Sequence, residues 1–168
     1  MTASARPNIS MTDDEVAGFV ERSRTATLAS VGPDGTPHLV AMWYGLIDGS
    51  IYFETKAKSQ KAKNLRSDDR IVCMIEAGDT YDQLRGVSIE GRAIIIDDVT
   101  ADEYWAAARS VWERYTGPYT DEHRPMLDYM MNKRVVVRIE VTRTRSWDHR
   151  KMNLPAMQIS GTTTNLVP

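Results

Sequence analysis

Thr25-Ala26-Thr27-Leu28-Ala29-Ser30-Val31, then Pro33-Asp34-Gly35, then Pro37-His38-Leu39-Val40-Ala41-Met42-Trp43-Tyr44 sets the architecture of this chain. The first run alternates in side-chain character with the period of two that belongs to a strand. Pro-Asp-Gly is a turn signal, because proline presets one backbone angle and glycine accepts a positive φ. The third run returns, so the two strands form an antiparallel hairpin. A second turn, Asp48-Gly49, leads into another alternating run, Ser50-Ile51-Tyr52-Phe53-Glu54-Thr55. Further downstream, Arg70–Glu76, Val87–Asp97 and Val135–Val141 read as strands, with a polar loop over Gly78–Gly86.

Helical patterns punctuate this β framework. Thr12-x-x-Glu15 is a capping-box signature for a helix reaching about Ser23, with Val16, Phe19 and Val20 on one face. Thr100-x-x-Glu103 predicts a second capped helix to Tyr115, broken by Gly117-Pro118, and Asp121–Met131 a shorter one. The expectation is a mainly β single domain over residues 1–168: a six-stranded antiparallel barrel with accessory helices. Residues 1–11 read as an N-terminal arm and 143–168 as a C-terminal tail.

Size and composition narrow the function. The 168 residues, 19.0 kDa, suffice for one core. A net charge of −2 argues against a general nucleic-acid binder, whose footprint is basic over a whole face. No apolar run approaches the roughly 20 residues of a membrane span. The start, Met1-Thr2-Ala3-Ser4-Ala5-Arg6-Pro7, lacks the apolar core of a secretory signal, so a cytoplasmic protein is expected. The single cysteine, Cys73, lies in the apolar run Ile71–Ile75 and reads as a buried, inert thiol.

One segment breaks the electrostatic pattern. Lys56-Ala57-Lys58-Ser59-Gln60-Lys61-Ala62-Lys63-Asn64-Leu65-Arg66 carries five cations and no carboxylate. It follows a strand and reads as the start of a short helix. Lysines in a first turn face the positive end of the helix dipole and repel one another. An anion bound at the helix start would offset both costs. The usual catalytic signatures, GxSxG, HExxH, a Walker loop and GxGxxG, are absent, and His38, His123 and His149 lack metal-ligand spacing. No acid–base pair is apparent either. An enzyme of this kind would rely on a cofactor for its chemistry.

The order of elements resembles the pyridoxamine 5'-phosphate oxidase-like split β-barrel family of flavin and deazaflavin proteins. The resemblance spans about Thr12 to Trp147. It rests on the hairpin Ala26–Val31 with Asp34–His38, on Tyr52-Phe53-Glu54-Thr55, and on Ser59-Gln60-Lys61-Ala62-Lys63-Asn64-Leu65. Val87–Ala93 and Arg145-Ser146-Trp147-Asp148 fit the same pattern. In that family Ser-x-Lys lies at the cofactor phosphate, which implies Ser59 and Lys61 here, with Gln60 and Asn64 in the same motif. The Ser-x-Lys-x-x-Asn-Leu-Arg form looks like the branch that uses the deazaflavin coenzyme F-420. Its acidic tail would account for additional cations, Lys56, Lys58 and Lys63.

Members that bind flavin mononucleotide (FMN) usually carry an arginine early in the second strand, where this chain has His38. The resemblance further implies a homodimer with cofactor sites at the interface and a small-molecule acceptor. Val40, Ala41, Met42 and Trp43 would line the ring, Thr55 would lie near it, and Trp147 would come from the partner. Met42 and Trp43 are adjacent and must face opposite sides of a regular strand, so only one can touch the ring. The expected activity is F-420-dependent reduction of a conjugated organic acceptor. The alternatives are an FMN-dependent oxidase or reductase and a non-catalytic flavin, deazaflavin or haem carrier. For haem, His149 is the candidate ligand. Tyr44, Tyr81, His149 and Lys151 are the candidate proton donors.

Overall fold

A computed structural model describes residues 8–159. Its seven strands are β1 (Ala26–Val31), β2 (Pro37–Met42), β3 (Gly45–Ile47), β4 (Ser50–Lys56), β5 (Arg70–Ala77), β6 (Arg85–Ile96) and β7 (Arg134–Asp148). They form one antiparallel sheet in the order β2-β1-β5-β6-β7-β4-β3. The sheet curls round its own core and leaves β2 and β3 as unpaired edges, which makes it a split barrel. The helices are α1 (Asp13–Arg22), α2 (Gln60–Ser67), α3 (Asp102–Tyr115) and α4 (Arg124–Met131).

Alternation decides what is buried. In β1, Ala26, Leu28 and Ser30 point inward, and in β5 Ile71, Cys73 and Ile75 do so. Phe53, Val87 and Ile139 complete this inner core, and Phe19 and Val20 of α1 close one end of it. Each such side chain contributes about 1.5–3 kcal/mol relative to exposure. A second core lies outside the curl, where Tyr104, Ala107 and Ala108 of α3 and Leu127 of α4 pack on Tyr52 and Val136. Strand β4 and the first half of β7 are therefore covered on both faces, which is why Ile51 through Thr55 are all buried. Cys73 is fully buried, and burial pushes its thiol up to about 12.

Three expectations need correction. The barrel has seven strands rather than six, because Gly45–Ile47 pairs with β4 through an Asp48-Gly49 turn whose two residues both have positive φ. This three-residue edge is completed by a side chain: Ser110 Oγ accepts from Leu46 N and donates to Leu46 O, both at 2.8 Å. The last strand runs on to Asp148 instead of stopping at Val141, so residues 143–148 are not tail. Thr142–Arg145 is exposed and lacks the apolar alternation that marks a strand, but β6 supplies its ladder. Finally, α3 starts at Asp102 without a capping box. Thr100 bonds Asp98 instead, and Glu103 reaches Tyr52 and Arg138. The capping box of α1 forms as the sequence predicts.

Candidate functional site

The basic segment folds into the end of β4, a tight turn and α2. Ser59 is the N-cap, accepting from Ala62 N at 3.3 Å. Its hydroxyl lies 3.0 Å from that of Thr55, and Lys61 Nζ donates to Thr55 Oγ1 at 3.1 Å. Three polar groups thus converge beside the first turn of α2, which contains no acidic residue. Among the described residues no carboxylate lies within ion-pair distance of Lys61. Burial and the nearby positive charge of Arg134 hold its ammonium below the usual lysine range.

Arg134 and Glu54 are the residues that sequence reasoning missed. Arg134 opens β7 opposite Lys56. Glu54, on the neighbouring β4, is 6% exposed, with Oε2 3.9 Å from Arg134 Nη1 and Oε1 without a partner. Burial raises its carboxyl to about 7, against the opposing pull of Arg134. Arg134 therefore faces a carboxylate that burial discourages from ionising, and Lys61 has no carboxylate partner among the described residues. The available signal was a glutamate inside a strand covered on both faces, but only the tertiary structure reveals that covering.

The other candidates divide. Asn64 is buried: its Nδ2 donates to Ser30 Oγ at 3.2 Å and its Oδ1 accepts from Gln60 Nε2 at 2.7 Å. His38 faces inward opposite Ser30, with Nδ1 buried and unpartnered. Gln60, Lys63 and Asn64 also line a cavity of about 560 Å³ against the turn after β1. Lys56 donates to the Asn132 carbonyl at 2.7 Å, and Lys58 is exposed.

In β2, Val40 and Met42 are half-buried against the inner core, whereas Ala41 and Trp43 lie on the outward side. Met42 and Trp43 thus part as strand geometry requires, although β2 ends at Met42. Trp43 stacks on Tyr115 with ring centroids 4.3 Å apart.

Trp147 sits far along β7, roughly 40 Å from the Thr55 end at about 3.3 Å per residue. Its ring covers Gly86, where a Cβ would stand 2.3 Å from Trp147 Cζ2. One chain therefore does not bring Trp147 to the Lys61 cluster.

Of the candidate proton donors, Tyr44 is fully enclosed and donates to the carbonyls of Val20 and Ser23, at 2.6 and 3.0 Å. Lys151 is held by Glu15 and Ser10. The Nδ1 of His149 lies 2.7 Å from the Tyr81 carbonyl. Among the described residues no cluster of His, Cys, Asp or Glu has metal-binding geometry, and no helix is long and apolar enough to cross a membrane.

The family model described as pyridoxamine 5'-phosphate oxidase matches residues 12–148, from the capping box of α1 to the end of β7. The chain belongs to that family. Among solved structures, a conserved hypothetical protein of Mycobacterium tuberculosis is similar at 60% identity, with TM-score 0.88, covering 96% of this chain and 99% of its own. A protein described as an F420 reductase matches at 25% identity, with TM-score 0.60, covering 79% and 98%. A haem storage protein of Vibrio cholerae shares the fold at 12% identity, with TM-score 0.65, covering 81% and 96%. No curated protein matches the chain significantly. The fold is thus shared by an F420 reductase and a haem storage protein, and alone it does not select a chemistry.

Proposed function

We propose that this chain is a coenzyme F-420-dependent oxidoreductase that passes a hydride from the reduced deazaflavin to a small conjugated organic acceptor. The observation that carries the proposal is the unmatched positive charge at the start of α2. Lys61 and Arg134 lie near enough to repel, Glu54 faces Arg134 alone, and its burial raises the carboxyl to about 7. A phosphate suits that arrangement. Lys61 and the hydroxyls of Thr55 and Ser59 can donate to its oxygens, with backbone N–H groups of the first helical turn beside them. Exposed Lys58 and Lys63 extend the positive surface toward an acidic tail. The match to the F420 reductase supports the same cofactor.

When bound, the deazaflavin supplies the hydride, and the protein supplies position and exclusion of water. Lys61 fixes one end of the cofactor by its phosphate. Ala41 and Trp43, on the outward side of β2, provide apolar surface for the ring.

The remainder of the site comes from a second copy of the chain. The outward face of β2-β1-β5 carries exposed Leu39, Val72 and Met74 in the strands flanking β1, beside a groove of about 420 Å³. Burying that face in a homodimer removes apolar surface from water. It also lets Trp147 of one subunit approach the cofactor of the other.

The test is a fluorescence titration of cofactor-free protein with F-420 and, separately, with FMN, alongside light scattering for mass. F-420 binding that is tighter than FMN binding and weakens with added salt, in a dimer, supports the proposal. Preferential FMN binding moves the chain to flavin chemistry, and binding of neither removes the oxidoreductase reading.

A further inference from the structure

A cavity of about 500 Å³ opens at the opposite end of the barrel, between α1 and the ends of β5, β6 and β7. Its apolar lining comes from Met11, Phe19 and Ala77, and Arg22, Arg24, Arg85 and Arg150 also face it. Three carboxylates are present, Glu15, Glu76 and Asp148, and two of them are already engaged. Asp148 forms a fork with Arg150, Nε–Oδ1 at 2.9 Å and Nη2–Oδ2 at 2.6 Å. Glu15 accepts from Lys151 Nζ at 2.5 Å and from Thr12 N at 2.7 Å.

That leaves Arg22, Arg24 and Arg85 against Glu76 and the Asp148 carboxylate, which Arg150 already holds and Arg85 also attracts. Arg24 and Arg85 donate only to backbone carbonyls, of Glu21 and Ser23 and of Gln83, which neutralise no charge. Arg22 has no hydrogen-bond partner among the described residues. Its guanidinium folds back over Gly18, where a Cβ would stand 3.0 Å from Nη1. Glycine inside a helix is unfavourable relative to alanine, and here it leaves room for the arginine head.

We propose that this cavity is a second binding site, for an oxyanion, carboxylate or phosphate, carried on an apolar body. Like charges gathered in one concavity repel, and an anion converts that repulsion into attraction. Planar guanidinium groups match the paired oxygens of carboxylates and phosphates. Low-dielectric walls concentrate their field on the interior. The apolar lining accepts the body of the ligand, and the volume falls in the range of small-molecule sites. The site is independent of the α2 cluster, from which the length of β7 separates it.

Calorimetric titration with octanoate and with octyl phosphate tests the proposal on the full-length protein, with octanol as the neutral control. Saturable binding of either anion, weakened at least about tenfold by Arg22→Ala or Arg85→Ala and unchanged by Lys61→Ala, is expected. The tighter of the two probes identifies the oxyanion. No saturable binding by about 10 mM would overturn the site. So would octanol binding as well as octanoate, or an Arg22→Ala/Arg85→Ala double variant that binds like the parent. Circular dichroism of each variant separates lost affinity from lost fold. Arg22 is exposed and Arg85 half-buried, so their truncation is compatible with folding.

Discussion

Helices α1 and α2 begin in opposite electrostatic company. The first turn of α1 holds Asp13, Asp14 and Glu15, and Thr12 and Glu15 close a reciprocal capping box that Lys151 braces from outside. All three acids suit the helix dipole. The first turn of α2 holds Lys61 and no acid, with Lys63 following, and Arg134 adds a further cation nearby. One start is arranged for stability of the chain alone. The other carries repulsion that a bound anion would relieve, and a site that conflicts with local stability is a mark of function.

The largest test of that contrast is Lys61→Ala. F-420 affinity should fall at least about tenfold, one charge-assisted bond being worth roughly 1.5–3 kcal/mol, while the melting temperature of the cofactor-free protein holds or rises. A variant that binds normally would show that the two helix starts differ only in composition.

Glu54 comes next. Its folded carboxyl is raised to about 7, so between its unfolded value and about 7 the folded state holds a proton that the unfolded state has lost. Stability therefore decreases as pH rises through that window, by on the order of 3 kcal/mol from this group. Glu54→Gln should flatten that fall in urea titrations between about pH 5 and pH 8. A parent protein already flat there would mean that Glu54 is ionised and fully matched.

Thr12→Ala should cost about 1 kcal/mol of stability through the lost cap and leave F-420 affinity untouched. Coupling between the two would contradict the division of labour between the helices. The smallest effect is that of exposed Lys63→Glu. It should stabilise the cofactor-free protein by a few tenths of a kcal/mol and weaken F-420 binding, measured by thermal melting and fluorescence titration.

The parts of the fold legible in the sequence were those written in short-range pattern. The β1–β2 hairpin and the α1 capping box depend on neighbours a few residues apart. β3 escaped because three residues carry no period and its edge is completed by Ser110, far along the chain. The second half of β7 escaped because Thr142–Arg145 alternates without apolar residues. The same limit governs the site. Ser59 and Lys61 announce themselves in a basic run, whereas Glu54 and Arg134 become a pair only when β4 meets β7. Alternation alone separates Met42 from Trp43, but only the register with β1 shows that Val40 and Met42 are the pair facing inward.

The pairing of β4 with β7 also orders events in time. Lys56 meets Arg134 across roughly eighty residues of chain, a closure whose entropic cost is met late in folding. Thr55, Ser59 and Lys61 are local and can gather early, but Arg134 joins them only when that seam zips shut. An anion held between Lys61 and Arg134 would therefore slow the opening of the barrel while leaving its rate of formation nearly unchanged. Occupancy would then be felt as persistence: a loaded protein outlasts an empty one under proteolysis or heat, even where the two fold equally fast.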